Sequence, residues 1–203
     1  VLTGDIEYIH KLPEDFWLTL SSSLSTVRNG IRQRESSEEV VVDGEANTLL
    51  YYTHLKQPTH ALTVEVEVRK EFRRGWMLAG HYGYQITKKS IDGTLLDGVD
   101  VPNAPVHLAG AKFVLPIFNR RVRLASRLYV EVGRKNRELD ELPPTVLWDL
   151  VFSGELPSLK LRYSAGIRNI LNWSYSHPVG DELEELAVEQ PGTSATVDIQ
   201  FQF

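Results

Sequence analysis

Apolar and polar residues alternate with a period of two over several long stretches. Leu62, Val64, Val66 and Val68 interleave with Thr63, Glu65, Glu67 and Arg69. Val122, Leu124, Ser126, Leu128, Val130 and Val132 interleave with Arg121, Arg123, Ala125, Arg127, Tyr129 and Glu131. Leu161, Tyr163, Ala165 and Ile167 alternate with Lys160, Arg162, Ser164 and Arg168, and Ala195, Val197, Ile199, Phe201 and Phe203 with Thr196, Asp198, Gln200 and Gln202. Such a pattern gives each strand one apolar and one polar face. Several runs reach the ~9–11 residues of a tilted strand that crosses a bilayer, whereas soluble strands cluster near five or six.

The connections have a rhythm of their own. Short turns are expected at Leu12–Asp15, Phe72–Gly75, Leu115–Arg120 and Gly154–Ser158, and long polar loops at Asn29–Thr48, Lys88–Ala104, Arg134–Pro143 and Asn172–Gly192. Outer-membrane barrels pair tight periplasmic turns with long extracellular loops, so strict alternation assigns a side to each connection. Phe16, Trp17, Phe72, Trp76, Phe118 and Phe152 lie near the short turns; Tyr51, Tyr52, Tyr84, Trp173 and Tyr175 lie towards the long loops. Two such belts suit the two interfaces of a membrane, although aromatics also favour strands in general.

Together these signals predict an all-β, antiparallel transmembrane β-barrel segment spanning 1–203, with strands at 3–12, 15–29, 48–71, 75–88, 104–116, 120–134, 143–153, 158–171 and 193–203. Pro58 is expected to bend the third, since proline cannot donate to the ladder. Nine is an odd count where single-chain bacterial barrels are even, so either the first strand is misread or further strands lie outside this sequence.

Composition narrows the function. Hydrophobic residues make up 42% and charged residues 24%, and the formal charge is −5. No basic stripe interleaved with aromatics is present, so no nucleic-acid partner is expected. The absence of cysteine excludes a disulfide framework, a thiol nucleophile and Cys-ligated metals. No apolar run is long enough for a membrane-spanning helix. Val1-Leu2-Thr3-Gly4-Asp5 has neither region of a signal peptide, so the sequence is expected to be a mature or processed chain.

Ordered fragments carry a family resemblance. Gly166-Ile167-Arg168-Asn169-Ile170-Leu171-Asn172, followed by Tyr175 and Pro178, resembles the "V-x-N-L-F-D" segment of TonB-dependent outer-membrane transporters, with Ile170-Leu171 for Leu-Phe and Asn172 for Asp. Val101-Pro102-Asn103-Ala104-Pro105-Val106-His107 resembles that family's "P-N-x-P-x-H" stretch, and Thr145-Val146-Leu147-Trp148-Asp149-Leu150 its "hydrophobic-x-Asp-Leu" strand. Leu62 to Glu67 resembles its "G-x-E-x-E" strand without the glycine. Phe203, Phe201 and Ile199 look like the terminal-strand signature read by the barrel-insertion machinery.

The resemblance implies the C-terminal part of a barrel of about 22 strands that imports a siderophore, cobalamin or glycan. It also implies partners: outer-membrane lipid, a second chain or N-terminal part carrying the plug and the remaining strands, and the TonB complex acting through that part. The implied location is the bacterial outer membrane. A small stand-alone barrel, serving as adhesin, anchor or narrow pore, and a soluble β-rich binding protein are the alternatives.

Candidate chemistry is sparse. Glu65, Arg69, Lys112, Arg123, Arg127, Glu131, Arg162 and Arg168 are the candidate lumen-facing residues, for hydration, plug docking or solute passage. His54 and His60, six apart in one expected strand, are about 20 Å apart by strand rise and cannot share a metal. Asp181, Glu182, Glu184 and Glu185 read as a solvated loop, and Ser21-Ser22-Ser23 lacks the glycines of a nucleophile elbow. Neither a catalytic site nor a metal or cofactor is expected.

Overall fold

In a computed structural model, the described residues are 1–42, 45–118, 122–180 and 183–202; for 32–42, 45–48 and 50 only the backbone is described. The strands are β1 (Leu2–Leu12), β2 (Phe16–Val27), β3 (Ile31–Val42), β4 (Glu45–His54), β5 (Thr59–Glu71), β6 (Met77–Lys89), β7 (Val99–Asp100), β8 (His107–Ile117), β9 (Val122–Val132), β10 (Thr145–Leu156), β11 (Leu161–Arg168), β12 (Ser176–Pro178), β13 (Ala187–Glu189) and β14 (Ser194–Phe201). A single 3₁₀ turn at Pro157–Leu159 joins β10 to β11. The protein is an all-β antiparallel sheet.

Nine long strands form the main sheet in the order β1-β2-β5-β6-β8-β9-β10-β11-β14, and β7 adds a short pairing at the end of β6. Every neighbour is antiparallel, and β1 pairs with β2 over its whole length, from Leu2↔Thr26 to Leu12↔Phe16. The first strand is therefore real. Because the count is odd, β1 and β14 run in the same direction, towards the short-turn end. Neither edge has a second partner among the described residues.

Two expectations are corrected. The segment 48–71 is not one strand: it breaks at Leu55–Pro58, and β4 pairs with β3 in a separate hairpin. The stretch 29–48 is thus mostly strand rather than loop, and Tyr51 and Tyr52 belong to that hairpin instead of an interfacial belt. His54 and His60 accordingly sit on different strands; His54 Nδ1 lies 3.3 Å from the Asn29 carbonyl, and His60 Nδ1 2.9 Å from Thr26 Oγ1. The reason is Pro58, whose missing N–H ends the ladder instead of bending it. Other boundaries move by a few residues, and the second and fourth long connections carry short ladders of their own, in β7 and in β12–β13.

The register sorts the side chains into two faces. One row runs Tyr8, Leu20, Val66, Tyr82, Ala109, Val130 and Val146 across seven strands; the row beside it runs Leu18, Val68, Gly80, Ala111, Leu128, Trp148. Among the described residues no apolar side chain is buried, and seven polar ones are. That inverts the ordinary globular arrangement, in which apolar groups are buried to leave water. An apolar surface running unbroken over so many strands is far larger than the patches of soluble monomers. It needs an apolar surrounding.

Candidate functional site

The opposite face carries most of the charged and hydroxyl side chains of the sheet, interspersed with small and a few apolar residues such as Ile9, Leu108 and Val151. Glu7, Ser21, Glu65 and Gly83 form one cross-strand row, and Ile9, Thr19, Glu67 and His81 the next. Ala79, Lys112, Arg127 and Asp149 follow across β6, β8, β9 and β10. All eight residues singled out in the sequence lie on this face, but spread over β5, β8, β9 and β11 they do not converge on one site. Arg127 bonds Asp149 at 2.6 Å, Arg162 approaches Glu155 at 3.1 Å, and Arg69 and Glu131 are paired with Glu71 and Arg134. Trp17 turns out to share the polar face, with the Lys11 ammonium 5.0 Å over its ring, so it leaves the interfacial belt. Trp76 does stack edge-on against Phe113, 6.1 Å away on the apolar side. Ile199 and Phe201 pair with Tyr163 and Leu161 on the apolar face; Phe203 lies outside the described residues.

The densest polar structure is at the long-loop end. Asp149, 8% exposed, accepts the Asn169 N–H at 3.0 Å with one oxygen while the other holds Arg127. Asn169 adopts a left-handed φ of 49°, a conformation asparagine tolerates better than most residues. Its amide accepts the Trp173 N–H and donates to the Trp173 carbonyl, and its own carbonyl accepts the Thr193 hydroxyl at 2.7 Å. Asn172 Oδ1 accepts the Thr193 N–H at 3.0 Å, which closes the connection between β11 and β14 at its root.

A second cluster binds the neighbouring connections. Buried Glu131 takes Arg134 and, at 2.7 Å, the Tyr129 hydroxyl; Arg134 also reaches Asn103. Asp100 sits between Lys88 and Lys135, whose hydrogen bonds hold its carboxyl below the usual carboxylate range, Lys135 contributing most. Lys135 is correspondingly raised by Asp100. Arg137 crosses to the last long connection and donates to the carbonyls of Gly180, Leu183 and Glu184 at 2.9, 2.6 and 2.9 Å.

These bonds frame a cavity of about 530 Å³ on the polar side of the sheet. Leu55, Thr59, Lys89, Ile91, Val99, Val101 and Leu139 line it, and Pro178–Gly180 roof it beside Arg137. Gly98 (φ 138°) lets the chain double back to β6: a Cβ there would stand 2.1 Å from the Lys89 carbonyl oxygen. Val99 is thereby delivered opposite Lys89. Sequence reasoning missed Arg137, Lys135 and Asp100, which sit in polar stretches without period or motif.

No family model and no curated protein sequence matches the chain. A search of solved structures matches it to the outer membrane transporter YddB from Escherichia coli, with 13% sequence identity and a TM-score of 0.71. The match covers 99% of this chain and 32% of that one, so the chain spans about a third of that transporter's length. Its nine-strand sheet has the fold of a section of an outer-membrane transporter barrel.

Proposed function

We propose that the protein is the C-terminal barrel portion of an outer-membrane transporter that actively imports a scarce nutrient. One observation carries this reading: a single apolar face, continuous across the sheet, backed by a face of Glu, Arg, Lys and Ser. Such a sheet puts aliphatic rows against acyl chains and charges against water, as barrels with a wet interior do. The short turns face the periplasm and the long connections the cell exterior. The two unpaired edges support a larger barrel over a small self-contained one, because backbone N–H and C=O groups left open to hydrocarbon cost several kcal/mol each. A partner polypeptide or N-terminal part supplies the plug and the remaining strands, about thirteen if the barrel reaches 22. Energy reaches the barrel from the TonB complex through that part, and the insertion machinery reads the terminal strand at Ile199, Phe201 and Phe203. The charges of the polar face line the lumen.

The test is uptake. Cells expressing the protein are given labelled ferric siderophores, cobalamin and maltodextrins, with and without a functional TonB complex. Accumulation of one class that disappears with the complex is the expected result. Equal accumulation in both strains, or recovery of the protein in the soluble fraction, would sink the reading.

A further inference from the structure

The cavity at the long-loop end is unlike the rest of the polar face. Just below it, that face presents Thr63, Glu65, Gln85 and Thr87. At the cavity it changes to Leu55, Val101, Leu139 and Val179. Lipid cannot cover these residues, because Val99 pairs with Lys89, Lys89 with Thr59, and all three lie on the polar side. Nor do they form a closed core: no apolar residue is buried among those described, and Ile91 and Val99 remain 66% and 45% exposed. Exposed apolar groups around a concavity of this volume fit a small molecule, whose sites are concave, mostly apolar and fixed by a few polar groups.

Charge adds direction. The cavity's charged lining is Lys89, Arg137 and Asp100, and Asp100 is already shared by Lys88 and Lys135. Two further lysines thus stand behind the one acid, and the surplus is positive. A glycan could bond Gln57, Thr59 and Asn103, but most of its hydroxyls would lie unpartnered against Leu55, Ile91, Val99, Val101, Leu139 and Val179. An anion with an apolar body would meet both features.

We propose that this cavity binds a small amphipathic organic anion, its ring or chain against Leu55, Val101, Leu139 and Val179 and its acidic group at Lys89. The inference rests on the transporter reading and sharpens it, from nutrients in general to carboxylate-bearing or similarly acidic apolar ligands. Arg137 holds the roof in place by its three carbonyl bonds and defines the cavity's shape.

The chain has no cysteine, so one can be introduced as a reporter. Val179→Cys stands in the cavity roof, and Val188→Cys, 41% exposed on β13, serves as the comparison site. Both variants are expressed on intact cells and labelled with a membrane-impermeant maleimide, in the presence of 2-naphthoate or maltotriose as probes. Naphthoate at about four times its Kd should slow labelling of Val179→Cys about fivefold, since the unliganded fraction falls as 1/(1 + [L]/Kd). Maltotriose should leave that rate unchanged, and Val188→Cys should respond to neither. Adding Lys89→Gln to Val179→Cys should remove most of the protection. Labelling of both sites without protection by naphthoate overturns the ligand proposal and leaves transport standing. So does equal protection by maltotriose, equal slowing at Val188→Cys, or full protection without Lys89. Failure of both sites to react from outside removes the assigned orientation and this proposal with it.

Discussion

The middle of the sheet and its long-loop end are built on opposite principles. In the middle, rows such as Leu20-Val66-Tyr82 face outward, and cohesion comes from backbone ladders and the surrounding solvent. At the long-loop end, His60, Ser90, Glu131, Asn136, Thr145, Asp149 and Asn169 are buried polar residues, and His60, Glu131, Asn136, Asp149 and Asn169 hydrogen-bond through their side chains to the strand or connection beside them. The first region is specified by which side a residue faces. The second is specified by individual hydrogen bonds, as in the interior of a water-soluble protein.

The sharpest way to break this contrast is to move a charge across the sheet. Val66→Arg, on the apolar face, should cost about 2–4 kcal/mol near the bilayer midplane, whereas Ser21→Arg, beside Glu65 on the polar face, should change stability by no more than about 0.5 kcal/mol. Denaturant titration of the protein in lipid vesicles reads both; similar costs would mean that the faces are not wetted differently. Next in size is Asp149→Ala. It leaves the Asn169 N–H without its acceptor and Arg127 without its partner, at about 1–3 kcal/mol. The same titration measures it, and Leu150→Val beside it, on the apolar face, should matter less.

Smaller effects belong to the connections alone. Arg137→Ala frees three carbonyls, and amide exchange across 183–189 should quicken about fivefold, the equivalent of ~1 kcal/mol, with β9 and β10 unchanged. If the strands loosen equally, the two regions are not independent. The gentlest perturbation is acid. Asp100 has a lowered pKa in the folded protein, so its contribution is complete above the ordinary carboxylate value and is lost as pH falls through the lower folded one. Exchange at 99–103 should therefore rise only in strongly acidic buffer, and Asp100→Asn should abolish that dependence.

The same division decides what the sequence reveals. Strand positions and faces were legible because a two-residue period is a one-dimensional signal: Val64, Val66 and Val68 announce their side without knowledge of any neighbour. The hairpin at 31–54 was not, since Glu35-Ser36-Ser37-Glu38-Glu39 reads as a polar loop although the backbone is extended. The rim was half legible. Asn103, Asp149, Asn169 and Asn172 stand inside the fragments that carry the family resemblance, and each proves to be a bonding node. Arg137 was invisible, because its partners are backbone carbonyls more than forty residues away, which no side-chain pattern records.

That β1 and β14 point the same way has an arithmetic consequence. Placed side by side they would pair in parallel, so an all-antiparallel cylinder cannot close from these nine strands alone. Whatever completes it must bring an odd number of strands, the first and last of which both rise from the short-turn side to the opposite rim. The missing arc therefore starts at the short-turn end of the sheet and finishes at the long-loop end.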